Sequence, residues 1–348
     1  MYRLLPFFLL LITISAFQSC KDTKTGKIDL DVNYRIGFYN VENLFDTIDT
    51  PDKMDEDFTP TGKLSWNTER YNKKLSNLDK VIAGMQYPTL LGVCEIENEA
   101  VLKDLASNTG MSKYNYGIVH YESPDKRGID NALLYQKKYF KVESSDKIRI
   151  EFPANIAEDY TSRDIIYAKG IFLGKYTLHV FVNHWPSRRG GEKESQPKRV
   201  LVAQHLREAV DKIFAKDPNA NIVIIGDMND EPDNDSILKT LRAGEIVDQT
   251  QALTLYNCMA KLKQQNKGTY NYRGNWNMLD NIICSSNLLN PASKIYIQNP
   301  TIFQEEWMMF DHPKNGKTPN RTYGGPNYYG GTSDHLPVYV DLKVRGEK

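Results

Sequence analysis

Residues 221–230 read NIVIIGDMND: four consecutive β-branched residues, Ile222 to Ile225, then a glycine, then Asp227, Asn229 and Asp230 around a single methionine. A short β-branched run closed by a turn signal is a buried strand, and in layered α/β proteins functional side chains collect in loops at strand ends. The same grammar recurs at Asn40 in FYNVENLF, Glu95 in LLGVCEIEN, His184 in HVFVNHWPS and Asp334-His335 in GGTSDHLPVYV. Five strand ends bringing Asn, Glu, His, Asp, Asn, Asp and His to one rim would make a divalent-metal site for cutting phosphate esters.

Working outward, IGFYNV is a first strand, followed by an Asp- and Pro-rich loop from Asp46 to Gly62 and a helix from Thr68 to Gln86 with Leu75, Leu78, Ile82 and Met85 on one face. TLLGVCEI is a buried strand and Glu99 to Asn108 a helix. YGIVHY and NALLYQ pair around the turn ESPDKRGID, and KIRI, IIYAKGIFL and YTLHVFVNHW continue as strands. A helix from Lys198 to Phe214 leads into NIVIIGD, and Asp235 to Ala243 is helical. GTYNYRG, NMLDNIICS and LPVYVDLKV supply the last strands. Paired strands with helices after some of them predict an α/β class protein: a four-layer α/β/β/α sandwich of two mixed sheets. No linker or internal repeat interrupts the chain, so residues 33–348 are expected to form a single domain.

The N-terminus reads as a processing signal. Arg3 is the sole charge before Lys21, Leu4 to Phe17 is an apolar stretch too short to span a bilayer, and Ser19 precedes Cys20. Residues 1–19 are expected to be a lipoprotein signal peptide, Cys20 the lipidated first residue, and residues 20–32 a flexible tether. That implies an exported bacterial lipoprotein of the cell envelope, meeting the membrane through its lipid and needing no obligate protein partner.

The chain carries 44 Lys+Arg and 44 Asp+Glu, and removal of the leader takes away one positive charge. That balance weighs against a protein that coats duplex DNA by bulk electrostatics, but not against an enzyme with one local basic groove. Beyond Cys20 only Cys94, Cys258 and Cys284 remain, the first and last inside apolar runs, so no disulfide framework is expected. No His/Cys spacing resembles a zinc site, and His120, His179, His205 and His312 receive structural or surface readings.

The order Asn40, Glu95, His184, Gly226-Asp227-Met228-Asn229, Asp280, Ser333-Asp334-His335 resembles the motif order of the endonuclease/exonuclease/phosphatase superfamily, whose fold is that of deoxyribonuclease I. Any one of these triplets is weak evidence, but six in order, each beside an apolar strand, are not. The resemblance covers nearly everything from Arg35 to Val344.

It implies Mg²⁺, with Mn²⁺ as a substitute, held by Glu95 and Asp334 with Asn40 in or beside the shell; Glu97 is the natural confounder of Glu95. His335 is the candidate for activating water, oriented by Asp280, although the family also admits Asp227 as the base with His335 stabilising the transition state. Asn229 would hold a phosphoryl oxygen and the attacking water, and His184, as imidazolium, would donate to the phosphoryl or leaving oxygen. Seen alone, Asp227 to Asp230 would read as an Asx-rich turn.

The run SRRGGEKESQPKR after His184 carries Arg188, Arg189, Lys193, Lys198 and Arg199, read as a loop that contacts substrate phosphates. Arg127 and Arg163 either join them or pair at the surface with Asp130 and Asp164. The stretch RTYGGPNYYGG either stacks bases or sugars or packs on itself. The expected activity is metal-dependent hydrolysis of phosphodiesters by an envelope-anchored endonuclease acting on nucleic acid. The alternatives are a phosphoinositide- or sphingomyelin-type phosphoesterase and a non-catalytic envelope binding module.

Overall fold

A computed structural model describes residues 32–245 and 253–345. The signal peptide, Cys20 and the tether through residue 31 lie outside the described residues. In chain order the strands are β1 (Tyr34–Leu44), β2 (Leu90–Ile96), β3 (Tyr116–His120), β4 (Asp130–Gln136), β5 (Phe140–Ile148), β6 (Ile165–Phe172), β7 (Tyr176–His184), β8 (Ile222–Asp227), β9 (Ala243–Gly244) and β10 (Leu255–Asn257). They continue as β11 (Tyr270–Tyr272), β12 (Asn275–Asn277), β13 (Asp280–Ser285), β14 (Ile295–Ile302), β15 (Met309–His312), β16 (Gly316–Pro319), β17 (Tyr323–Gly324), β18 (Asn327–Tyr328) and β19 (Val338–Val344). The α-helices are α1 (Thr68–Gly84), α2 (Glu99–Ser107), α3 (Ala154–Ala157), α4 (Glu192–Phe214) and α5 (Ala260–Gln264).

One sheet has the order β14-β19-β1-β2-β4-β3 and the other β5-β6-β7-β8-β13-β10-β9. The central pairs β1·β2 and β7·β8 are parallel, which requires crossovers, and these contain α1 and α4. Both sheets are therefore mixed, as the four-layer reading expects.

The continuous apolar runs divide by period two between different cores, because successive strand residues face opposite sides. Ile36, Phe38, Val180, Val182, Val223 and Ile225 enter the core between the sheets. Tyr39, Val41, Leu91 and Val93 pack outward with Leu75, Leu78, Val81 and Ile82 of α1. Phe181, Ile222 and Ile224 pack outward with Val202, Leu206 and Val210 of α4. The sheets approach closely at Gly92, where an added Cβ would sit 2.6 Å from Cδ1 of Ile225 and 3.1 Å from Cγ1 of Val182.

Two expectations shift. The helix predicted from Lys198 begins at Glu192 and carries Pro197 inside it, so most of the run expected to be a basic loop is helical. Arg199 donates back to the carbonyl of Glu192 at 2.8 Å and the Ser195 hydroxyl to that of Gly191, bonds that tie the first turn, ahead of Pro197, to the rest of the helix. The segment 236–241 is one π-type helical turn rather than a longer helix. Cys94 and Cys284 are buried in strands, and the Sγ atoms of Cys258 and Cys284 lie 3.5 Å apart.

Candidate active site

Strand register assembles the site. The β7·β8 pairing sets His184 beside Asp227, and the β8·β13 pairing sets Asp227 beside Asp280, so three residues distant in sequence form one row across three strand ends. In the facing sheet Asn40 pairs with Cys94, which brings Glu95 to the same rim. Glu95 and Asn229 have left-handed backbones, φ 61° and 49°, in a region that non-glycine residues seldom occupy and that concentrates at functional sites.

Asp280 Oδ2 contacts His335 Nδ1 at 2.7 Å, and His335 Nε2 stands 3.8 Å from Asp227 Oδ2. Asp227, Asp280 and His335 present ligand atoms all within 4.8 Å of one another, a group that could hold a metal ion. Burial opposes charge on His335, yet the flanking Asp280 and Asp227 carboxylates hold its pKa well above the ordinary value. Burial raises Asp227 to about 7, with Asp280 adding repulsion and His335 opposing the shift. Asp227 also accepts from the amide of Asn229 at 2.9 Å and from Nδ2 of Asn40 at 3.1 Å.

Asn40 turns its amide oxygen to the backbone N–H of Glu42 at 3.0 Å and offers Nδ2 to Glu95 and Asp227, so it ties two carboxylates together beside the expected ligand Glu95. Two expected roles change. His184 is buried, and burial with Arg163, Arg127 and His335 nearby pushes its pKa well below the ordinary value. Burial thus favours the neutral imidazole over the expected imidazolium, with Nε2 3.6 Å from Asp227 and 3.9 Å from Glu95. Arg199 is wholly buried, its Nε 2.8 Å from Asp230, and does not line the cleft.

The cleft has a volume of about 770 Å³, within the range of small-molecule sites. Glu95, His184, Asp227, Asn229, Asp334 and His335 reach it. Glu97 does not: it is buried and accepts from the Asp46 amide and the Thr50 hydroxyl. Asn98, not Glu95, caps the following helix, accepting from the amides of Ala100 and Val101.

Arg127 and Arg163 line the wall, and both pair with Asp125 instead of Asp130 and Asp164. Those two acids are taken by His120 and by Arg149. Arg163 also donates to the Trp185 carbonyl at 2.6 Å. Arg188 and Arg189 line the cleft as well. Arg188 spends its guanidinium on protein groups, whereas Arg189 has no hydrogen bond or ion pair among the described residues.

Several residues escaped the sequence. Tyr270 lies over His335 with ring centroids 4.8 Å apart, and Tyr272, Asn275 and Asn277 extend from the β11–β12 hairpin into the cleft. The hairpin turns through Arg273 and Gly274, both at positive φ as a two-residue hairpin turn requires. Arg321 donates to Asp334 at 2.7 Å. Beneath it, buried Glu42 accepts from the Thr322 amide, and buried Lys74 donates to Thr322 Oγ1 and the Thr332 carbonyl. Burial pushes Glu42 up and Lys74 down in pKa. A charged residue inside an apolar run, as Glu42 is in FYNVENLF, was the available signal. In the aromatic stretch Tyr323 and Tyr328 pack inward, so that segment packs on itself and the cleft's rings come from elsewhere.

The donor chemistry fits a hard divalent cation. Glu95 accepts only from Asn40 Nδ2 and the Asn43 amide, and no Lys or Arg pairs with it among the described residues, which leaves an uncompensated carboxylate at the rim.

A model of the endonuclease/exonuclease/phosphatase family matches residues 35–344. Among solved structures, the human Nocturnin catalytic domain with bound sulfate is 17% identical at TM-score 0.54, covering 90% of this chain and 95% of that one. D. rerio TDP2 complexed with single-strand DNA product is 16% identical at TM-score 0.54, over 90% and 100%. A Bacteroides thetaiotaomicron mannosyl-6-phosphatase is 14% identical at TM-score 0.53, over 89% and 99%. No curated protein matches. These likenesses show the deoxyribonuclease I-like sandwich, and the family match, spanning almost the whole described chain, shows that this protein belongs to the endonuclease/exonuclease/phosphatase family, whose members hydrolyse phosphate esters.

Proposed function

We propose that the protein hydrolyses phosphodiester bonds with the help of a divalent cation, with nucleic acid as its leading substrate. The observation that carries this is the Asp280–His335–Asp227 relay opening into a cleft walled by arginines and tyrosines. Glu95 and Asp334 would hold Mg²⁺ or Mn²⁺, which when bound supplies positive charge against the charge developing on the phosphoryl oxygens.

His335 lies between two carboxylates, one on each ring nitrogen, an arrangement that suits a doubly protonated ring. Asp227 takes the proton of the attacking water, whose oxygen forms the new bond to phosphorus as the bond to the leaving oxygen breaks. His335 Nε2–H and the second N–H of Asn229 Nδ2, whose first is held by the Trp185 carbonyl, donate to the non-bridging oxygens, and His184 faces the same space with Nε2. Tyr272, half-exposed and lining the cleft, offers a ring to a base, with Asn275 paired to it across the hairpin.

A second reading, hydrolysis of a small sugar, inositol or lipid head-group phosphate, is favoured by the compact cleft and by the loss of Arg188 and Arg199 as free cations. The related structures named above include both a complex with DNA product and a sugar phosphatase. Turnover of plasmid DNA, single-stranded DNA, RNA, a soluble inositol phosphate and sphingomyelin with Mg²⁺ or Mn²⁺ separates the readings. Cleavage of a nucleic acid with a steep fall at rising salt supports the first, and turnover of the head groups alone replaces it with the second. Inactivity on all of them and on a hexose phosphate would favour a non-catalytic binding module.

Placement at the cell envelope through lipid on Cys20 is part of the proposal and rests on the leader sequence. The native protein is expected in the membrane fraction, and Cys20→Ser should abolish lipid labelling. Met1 intact on the mature chain would overturn it.

A further inference from the structure

Arg188 and Arg189 are neighbours at the cleft with opposite engagements. Arg188 Nε donates to the Asn229 carbonyl at 2.8 Å, Nη2 to Asn234 Oδ1 at 2.8 Å and toward Asp230 at 3.4 Å, and Nη1 to Glu192 at 3.2 Å. Every nitrogen of the guanidinium is thus directed at the turn after β8 or the first turn of α4. Arg199 grips the same turn from below through buried Asp230, which also accepts from the Ser236 hydroxyl. Arg189 makes none of these contacts and is followed by Gly190 at φ 89° and Gly191 at φ 127°, with open space around Gly190.

Asn229 needs such a clamp. Its backbone sits in the left-handed region at φ 49°, which asparagine tolerates better than most residues but holds in one geometry only when its surroundings fix it. Its side chain donates to the Trp185 carbonyl at 3.0 Å and its amide to Asp227, so the turn joins the β7 and β8 strand ends. Freed of Arg188, the Asn229 carbonyl loses its charged donor, and the turn keeps only the Arg199–Asp230 and Asn234–Glu192 contacts to α4.

We propose that Arg188 is a positioning residue that holds Asn229 and Asp227 in reacting geometry, and that Arg189, of this pair, is the one that meets a substrate phosphate. The inference rests on the phosphodiesterase reading above for its kinetic consequences but not for its structural one. A planar fork making four directed contacts is not replaceable by an ammonium, whereas a phosphate contact that depends mainly on charge is.

The test compares Arg188→Ala, Arg188→Lys, Arg189→Ala and Arg189→Lys in the full chain on a chromogenic phosphodiester and on the best nucleic-acid substrate. Arg188→Ala should lower kcat about 10- to 100-fold with KM little changed, as expected for a displaced reacting group, and Arg188→Lys should not restore it. Arg189→Ala should raise KM for the nucleic acid with kcat little changed, and Arg189→Lys should recover most of that loss. Amide hydrogen exchange over residues 228–234 supplies a readout independent of turnover: it should accelerate in Arg188→Ala and stay at the wild-type rate in Arg189→Ala. Arg188→Gln, which keeps most of the aliphatic stem but removes the fork that reaches Asn229, Asn234 and Glu192 together, should accelerate exchange in the same turn and serves if Arg188→Ala does not fold. Rescue by Arg188→Lys, a KM effect alone in Arg188→Ala, or unchanged exchange in both Arg188→Ala and Arg188→Gln would overturn the positioning role. A wild-type protein inactive on every phosphate ester would refute the functional reading while the exchange result still decides the clamp.

Discussion

Asp280 Oδ2 meets His335 Nδ1 at 2.7 Å, although 55 residues separate the two in the chain. The contact is buried, and Asp280 lies at the first position of β13 opposite Asp227 of β8. One carboxylate therefore orients the imidazole while a second stands at its other nitrogen. Asp280→Asn keeps the shape but removes the charge that supports the ring, and should lower kcat by about 10²-fold or more, with His335→Ala at least as severe. Near wild-type rates for both, measured under saturating metal and substrate, would remove the relay from the mechanism.

Glu95 sits at the rim with no lysine or arginine against it among the described residues. Activity is expected to vanish in EDTA and to return with Mg²⁺ or Mn²⁺, and Glu95→Gln should stay inactive at millimolar metal. Isothermal titration with Mn²⁺ checks the same point without turnover: the Gln variant should bind far more weakly. Full turnover in chelator would exclude the metal role.

Gly92 allows the two sheets to approach, since a Cβ there would press on Ile225 and Val182. Gly92→Val should destabilise the fold by roughly 1–3 kcal/mol through overpacking, seen as a lower thermal midpoint. Ile225→Val in the same background should return part of the loss, because it shortens the side chain that is struck. If the double variant is no more stable than the single one, the contact is not the cause.

His179 accepts from or donates to the Tyr167 hydroxyl at 2.7 Å, and burial, with Lys169 nearby, lowers its pKa to about 4. The unfolded chain binds the proton near pH 6.5 and the folded one does so only near pH 4, so stability is full above about 6.5 and declines as pH falls through that window. Partial solvent contact limits the loss to roughly 1–2 kcal/mol. Chemical denaturation of wild type and His179→Gln at pH 7.5 and 4.5 should show a smaller acid loss in the variant.

The layered fold and the core of the site were legible because both follow from local pattern. Apolar β-branched runs announce buried strands whatever surrounds them, and polar residues at their ends announce a rim, which placed Glu95, His184, Asp227, Asn229, Asp334 and His335 around one cleft. What the order of residues could not contain was which partner each charged group would find. Arg188, Arg189 and Arg199 look alike in SRRGGEKESQPKR, yet α4 starts at Glu192, which buries Arg199 on Asp230, turns Arg188 onto Asn229 and leaves Arg189 at the cleft. Asn40 turned its amide and His184 came to favour the neutral ring for the same reason: hydrogen-bond direction and pKa are set by neighbours brought from distant strands. The sequence by itself determined the strands, their order of motifs and hence the family; only the tertiary structure, through register and burial, decided which of the charged side chains face the cleft and which hold the protein in shape.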